Sequence, residues 1–121
     1  MQDTLKNNIL IAEFMGMQKT TIGWYDSEEV LKLPYTSDNT FDELLFHKSW
    51  DWLIPVVEEI GLRRFSDKRL MGIVTIFSTN RTAIQCYKDQ QLIQTIDEMD
   101  VAGLTSTHNA VVRYIEWYSE N

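Results

Sequence analysis

Ser49-Trp50-Asp51-Trp52-Leu53-Ile54-Pro55-Val56-Val57-Glu58-Glu59-Ile60-Gly61 holds the densest apolar content of the chain between a helix-starting and a helix-ending residue. Ser49 is suited to the N-cap, where a hydroxyl accepts from an orphan backbone N–H. Asp51 in the first turn meets the positive end of the helix dipole. Gly61 stands where a left-handed residue ends a helix at little steric cost. Pro55 forfeits one intrahelical hydrogen bond and predicts a bend or an opened carbonyl at Asp51. At roughly 100° per residue, Trp50, Leu53, Ile54, Val57 and Ile60 share one face, and Asp51, Glu58 and Glu59 oppose it. Trp50 lies at the centre of that face, so its replacement by alanine is expected to cost about 3–5 kcal/mol. Val56 flanks the face. Trp52 lands on its border, as a contact for a partner or as a ring leaning over its own core.

Outward from this helix the period changes. Upstream, residues 4–16 read as a first helix, with Leu5, Ile9, Leu10, Ala12, Phe14 and Met15 at helical spacing and Gly16 as its stop. Residues 17–40 are mixed and polar, a loop with extended pieces at 21–25 and 30–35. Phe41 to Phe46 forms a helical turn that breaks near His47 and Lys48. Downstream, 70–77 is short, β-branched and apolar, as a buried strand is. Strands over 82–87 and 91–96 follow after short turns, which makes an antiparallel meander. Residues 97–105 read as an acidic loop. A last helix runs from Thr105 or Ser106 to about Tyr118, with Ala110, Val111, Tyr114, Ile115, Trp117 and Tyr118 on one face and Asn109, Arg113 and Glu116 opposite. The order is helix, irregular segment, helix, three strands, helix. The expected fold is α+β, a single domain over 1–121, with helices packed on the sheet in two layers or on both faces as a three-layer sandwich.

The chain has 121 residues, enough for a core that needs no disulfide or metal. Its apolar content of 44% and charged content of 24% are those of a soluble globular protein. A single cysteine, Cys86, fits a reducing compartment. With no signal-peptide pattern at the start and apolar runs too short to span a bilayer, the expected location is the cytoplasm and no membrane is expected as a partner. The acceptor-like Asn80-Arg81-Thr82 is then coincidental. A net charge of −7 lacks the positive field of a general nucleic-acid binder and suits docking on a basic protein. Arg63, Arg64, Lys68 and Arg69 form the one basic cluster, either a solvated loop or a place where a phosphate finds several cations together.

Three blocks of the sequence carry a resemblance. Asn8-Ile9-Leu10-Ile11-Ala12-Glu13-Phe14-Met15-Gly16 resembles the opening of small uncharacterised proteins encoded by phages and prophages of gut bacteria. Leu33-Pro34-Tyr35 followed by the stretch 49–60 is similar to their middle segment, and Ala110 to Tyr118 to their final helix. The first helix and the tryptophan-led second one are more distantly similar to the phage domain family called an ABA sandwich. Here residues 36–48 separate Leu33-Pro34-Tyr35 from Ser49, where the family runs more directly. The resemblance implies a phage-type accessory protein and brings no catalytic residues.

Catalytic chemistry is sparsely provided for. Hydrolysis needs a nucleophile, a base and an oxyanion site together. The only histidines are His47 and His108, each beside a helix start. Cys86 reads as a small core residue. No zinc spacing or glycine-rich phosphate loop is present, and Asp97, Glu98 and Asp100 lack the alternation of a calcium loop. No cofactor or metal is expected. Two functions stay open: a non-enzymatic protein that binds a partner or a second copy of itself, and a binder or degrader of a small nucleotide through the cluster at 63–69. The charge of −7 and the absence of a catalytic constellation favour the first. Trp24, in a polar segment, and Trp52, at its helix border, are the candidate protein-binding residues. The competing core reading has the Trp24 loop fold back over the second helix and bury both rings.

Overall fold

Helix α1 spans Thr4–Phe14. It ends as its sequence predicts: Gly16 takes a φ of +81°. The N–H of Met17 then reaches the Ala12 carbonyl at 3.0 Å, and that of Gly16 the Glu13 carbonyl at 3.1 Å, the two closing bonds of a Schellman end. The structure, a computed structural model, describes residues 4–21, 23–26, 40–67, 69–77 and 80–121. Among these it is α+β, with three α-helices and two three-stranded antiparallel sheets, and no helix long and apolar enough to cross a membrane.

The segment read as mostly irregular holds the smaller sheet. Strands β1 (Gln18–Thr20), β2 (Gly23–Tyr25) and β3 (Thr40–Phe41) pair in that order, with Trp24 opposite both Lys19 and Phe41. Phe41 therefore closes a strand and does not begin the expected helical turn. The turn comes later, at 46–48. The extended piece expected at 30–35 lies outside the described residues. Gly23 is required at its position, because a side chain there would run into the Phe41 carbonyl.

Helix α2 (Trp50–Leu62) is where the sequence places it, but its ends and its face differ. Ser49 is its N-cap in extended conformation, yet no side-chain cap bond forms. The helix continues through Gly61 into a 3₁₀ turn at Arg63–Phe65, since a glycine stops a helix only when a left-handed turn follows it. The buried residues are Trp52, Leu53, Val56 and Ile60, while Trp50 and Ile54 are each 38% exposed. Trp50 is therefore not the core tryptophan; Trp52, at 1% exposure, is. The cause is the chain before the helix. The rings of Phe41 and Phe46 meet Trp52 edge-on, with centroids 4.8 Å and 5.1 Å away, and bury the side of α2 that the wheel alone leaves on the border.

The larger sheet follows the predicted meander: β4 (Leu70–Phe77), β5 (Arg81–Lys88) and β6 (Gln91–Met99), with β5 in the middle. A bulge between Cys86 and Tyr87 shifts the β5–β6 register. β6 runs to Met99 and α3 (Gly103–Glu120) begins at Gly103, so the acidic loop expected over 97–105 shrinks to residues 100–102. Thr105 and Ser106 do not cap. Instead Ser106 and Thr107 are buried, and their hydroxyls lie 3.2 Å and 2.7 Å from that of Thr82 on β5. Helix α3 packs on β5 and β6 and on α1, while α2 packs on β4. Thr82, Ile84 and Cys86 turn to the helices and are fully buried. At Gly72 on β4 a Cβ would lie 2.7 Å from Cζ of Tyr114, so only glycine lets α3 come this close.

Candidate functional site

The two histidines, 61 residues apart in sequence, are brought to one side chain. Asn8 is 2% exposed on α1. Its Nδ2 donates to the Leu44 carbonyl at 3.0 Å and to Nδ1 of His47 at 2.7 Å, and its Oδ1 accepts from Nε2 of His108 at 2.9 Å. An amide nitrogen only donates and an amide oxygen only accepts, so His47 is unprotonated at Nδ1 and His108 carries its proton on Nε2. Electrostatics agrees with two neutral rings. Burial, with His47 nearby, pushes His108 down to about 4. Burial and the adjacent Lys48 lower His47, partly opposed by Glu43. A cleft of about 370 Å³ opens over Asn8 and His47, walled by Trp24, Lys19 and Lys48 and by Asp42 and Glu43. This network ties α1, the 44–48 turn and α3 together. Reading the sequence missed it, although one signal was present: Asn8 is a polar residue three positions from Leu5 and Ile11 on a helix face otherwise apolar.

The network lacks a nucleophile. The only thiol, Cys86, is buried on β5, and desolvation pushes it up to about 11, which keeps it protonated and unreactive near neutrality. Among the described residues no group of three or more His, Cys, Asp or Glu is placed to hold a metal ion.

The candidate binding residues fare unequally. Trp24, at 9% exposure, and Trp52 are both core, joined through Phe41, and only Trp24 keeps an edge on the cleft over Asn8. The core reading of these two rings is the one the structure shows. The basic cluster does not converge on an anion site among its described members. The guanidinium of Arg63 lies 3.7 Å from the Phe14 ring centre, pairs with Glu59 at 3.1 Å and donates to the Phe14 carbonyl at 2.5 Å. Arg69 donates to the main-chain oxygen of Asn121 at 2.6 Å. The side chain of Arg64 and all of Lys68 lie outside the described residues.

Exposed apolar surface gathers elsewhere, on the side of the larger sheet away from α3. The register places Ile73 and Phe77 of β4, Tyr87 of β5, and Leu92 and Met99 of β6 on that face. Ile73 and Phe77 are each 43% exposed, Leu92 50% and Met99 68%. Its ionic side chains along the paired strands are Arg81 and Asp97, joined by two bonds of 3.0 Å and 2.6 Å, with the guanidinium 4.8 Å from the Phe77 ring centre. The pair holds Asp97 below the usual carboxylate range and raises Arg81. The face thus mixes exposed apolar side chains with Thr75, Gln85 and Thr95, and its ionic pair is internally neutral on an acidic chain. Comparison with protein-family models, curated proteins and solved structures returns no match.

Proposed function

We propose that this chain is a small non-enzymatic accessory protein of the phage type that acts by binding another protein through the uncovered face of its meander. In this reading helices α2 and α3 gather on one side only, a two-layer arrangement, and the other side of β4–β6 is left for a partner. The observation that carries it is the row Ile73, Phe77, Leu92 and Met99, four large apolar side chains each more than 40% exposed on one sheet face. Scattered apolar residues on a surface need no explanation, but several large ones on one regular face support an interaction site. The Arg81–Asp97 pair at one end of the face adds polarity without net charge, which suits an interface where unpaired charge is costly.

The test is retention of proteins from a bacterial lysate on the immobilised chain, compared with a Leu92→Asp, Met99→Asp double variant. Retention of a defined protein is expected to fall at least about tenfold, a loss of 1.4 kcal/mol or more, with the thermal melt unchanged. Equal retention by both forms would overturn the reading. So would a binding heat with cyclic or linear nucleotides that persists in the double variant.

A further inference from the structure

The sequence and position of β4 disagree. Leu70-Met71-Gly72-Ile73-Val74-Thr75-Ile76-Phe77 contains no charged residue and no proline, the composition of a strand covered on both faces and paired on both edges. β5, the middle strand, carries Arg81 and Lys88, and β6, the other edge, carries Asp97 and Glu98. Natural sheets protect their edges with such charges. Among the described residues β4 is nevertheless an edge strand, with β5 as its neighbour in the sheet. From Ile73 onward it is open on both faces: Ile73, Thr75 and Phe77 are exposed on one, Ile76 is 38% exposed on the other, and Val74 is half-buried.

We infer that β4 pairs antiparallel with β4 of a second copy of this chain about a two-fold axis at Thr75. This deepens the protein-binding reading above, because the two meanders then join into one six-stranded sheet and double the docking face. The pattern Ile73-Val74-Thr75-Ile76-Phe77 is nearly palindromic in character. With Thr75 opposite Thr75, Ile73 faces Phe77 and Val74 faces Ile76. Threonine pairs and β-branched–aromatic pairs are favourable cross-strand neighbours, and an isologous contact of this kind closes as a dimer.

Two further observations select a second copy as the occupant. The chain carries −7, so two copies repel except where they meet through surface without net charge, and β4 supplies eight consecutive uncharged residues. Beside β4, across a cleft of about 400 Å³ lined by Val57, Phe65 and Val74 with one carboxylate, Glu58, stand Leu62 at 57% and Phe65 at 68% exposure. With Ile73, Ile76 and Phe77 these border the open edge with exposed apolar side chains, the kind of surface a dimer contact covers.

Light scattering on the purified chain at about 100 μM, a range that captures even weak dimers, is expected to give twice the 14.2 kDa of one chain. Thr75→Lys sets two ammonium groups against each other at the axis and is expected to give a monomer with an unchanged circular dichroism spectrum. Thr75→Cys, oxidised, is expected to form a disulfide-linked dimer, since cross-strand neighbours lie within bridging distance and the native Cys86 is buried. Thr95→Cys, on β6, is the control and is expected to stay unlinked. A wild type that is monomeric at this concentration overturns the inference. So does a Thr75→Lys variant that remains dimeric, or linkage through Thr95→Cys in place of Thr75→Cys. Should Thr75→Lys unfold, the two cysteine variants decide. The Leu92→Asp, Met99→Asp variant is expected to remain dimeric, so failure of the docking face and failure of the dimer are read separately.

Discussion

Trp50 and Trp52 stand two positions apart and differ sharply in environment. Trp52 is 1% exposed with Phe41 and Phe46 edge-on against it, whereas Trp50 keeps 38% of its surface in water. Trp52→Ala is therefore expected to cost about 3–5 kcal/mol, the range for removing a large buried aromatic. Trp50→Ala is expected to cost less than about 1 kcal/mol, as surface changes do. Urea midpoints of the two variants test this directly, and a reversed order would show that α2 turns its other side inward. The sequence could place the helix but not its rotation. Periodicity gives the width of an apolar face, and which part of a wide face is covered depends on Phe41 and Phe46, which arrive from another element. Asn8 was illegible for the same reason: its partners His47 and His108 lie 39 and 100 residues away.

Among the elements, the meander was legible because each strand pairs with its neighbour in sequence, so local turns and alternation carry its whole description. The smaller sheet was not, because its strands are two or three residues long, too short for any period to show. The helix ends were legible only where local geometry decides: Gly16 stops α1 through a positive φ, but Gly61 is held helical by the 3₁₀ turn that continues α2. Helix α3 approaches β4 closely at Gly72. The aromatic ring of Tyr114 occupies the space a side chain at Gly72 would need, so Gly72→Ala is expected to lower stability by about 1–3 kcal/mol, the cost of overpacking. The Tyr114 hydroxyl is buried with no hydrogen-bond partner among the described residues, and burial raises its pKa. Tyr114→Phe is accordingly expected to leave stability unchanged or to raise it by up to about 1 kcal/mol. Thermal or urea unfolding checks both variants. A clear loss in Tyr114→Phe would reveal a partner for the hydroxyl.

For the whole molecule, the network about Asn8 makes stability depend on pH. His108 titrates at about 4 when folded, against an ordinary 6.5. As pH falls below about 6.5 the unfolded chain takes up a proton that the folded chain refuses. The stability is therefore fully present above pH 6.5 and is lost as pH falls towards 4, by about 2 kcal/mol between pH 7 and 5. His47, also lowered by burial, acts in the same direction. The carboxylates Asp67, held down by the Tyr118 hydroxyl, and Asp97, held down by Arg81, lose their contribution at lower pH, so the interval from 7 to 5 reports on the histidines. Stability from urea titrations across that interval is expected to fall for the wild type and to fall distinctly less for His108→Gln. Equal slopes would remove His108 as the cause.

The bond between Asn8 and His108 spans 100 residues, and this has a kinetic consequence. Closing a loop of that length in an otherwise unfolded chain costs about 4 kcal/mol of chain entropy, more than one neutral hydrogen bond returns. The strands and α3, contiguous from 70 to 120, face no such penalty, because most of their contacts join near neighbours in sequence. During synthesis α1 leaves the ribosome before α3, so its bond to His108 waits until α3 has emerged. The meander and α3 therefore come together before the Asn8 network closes across them.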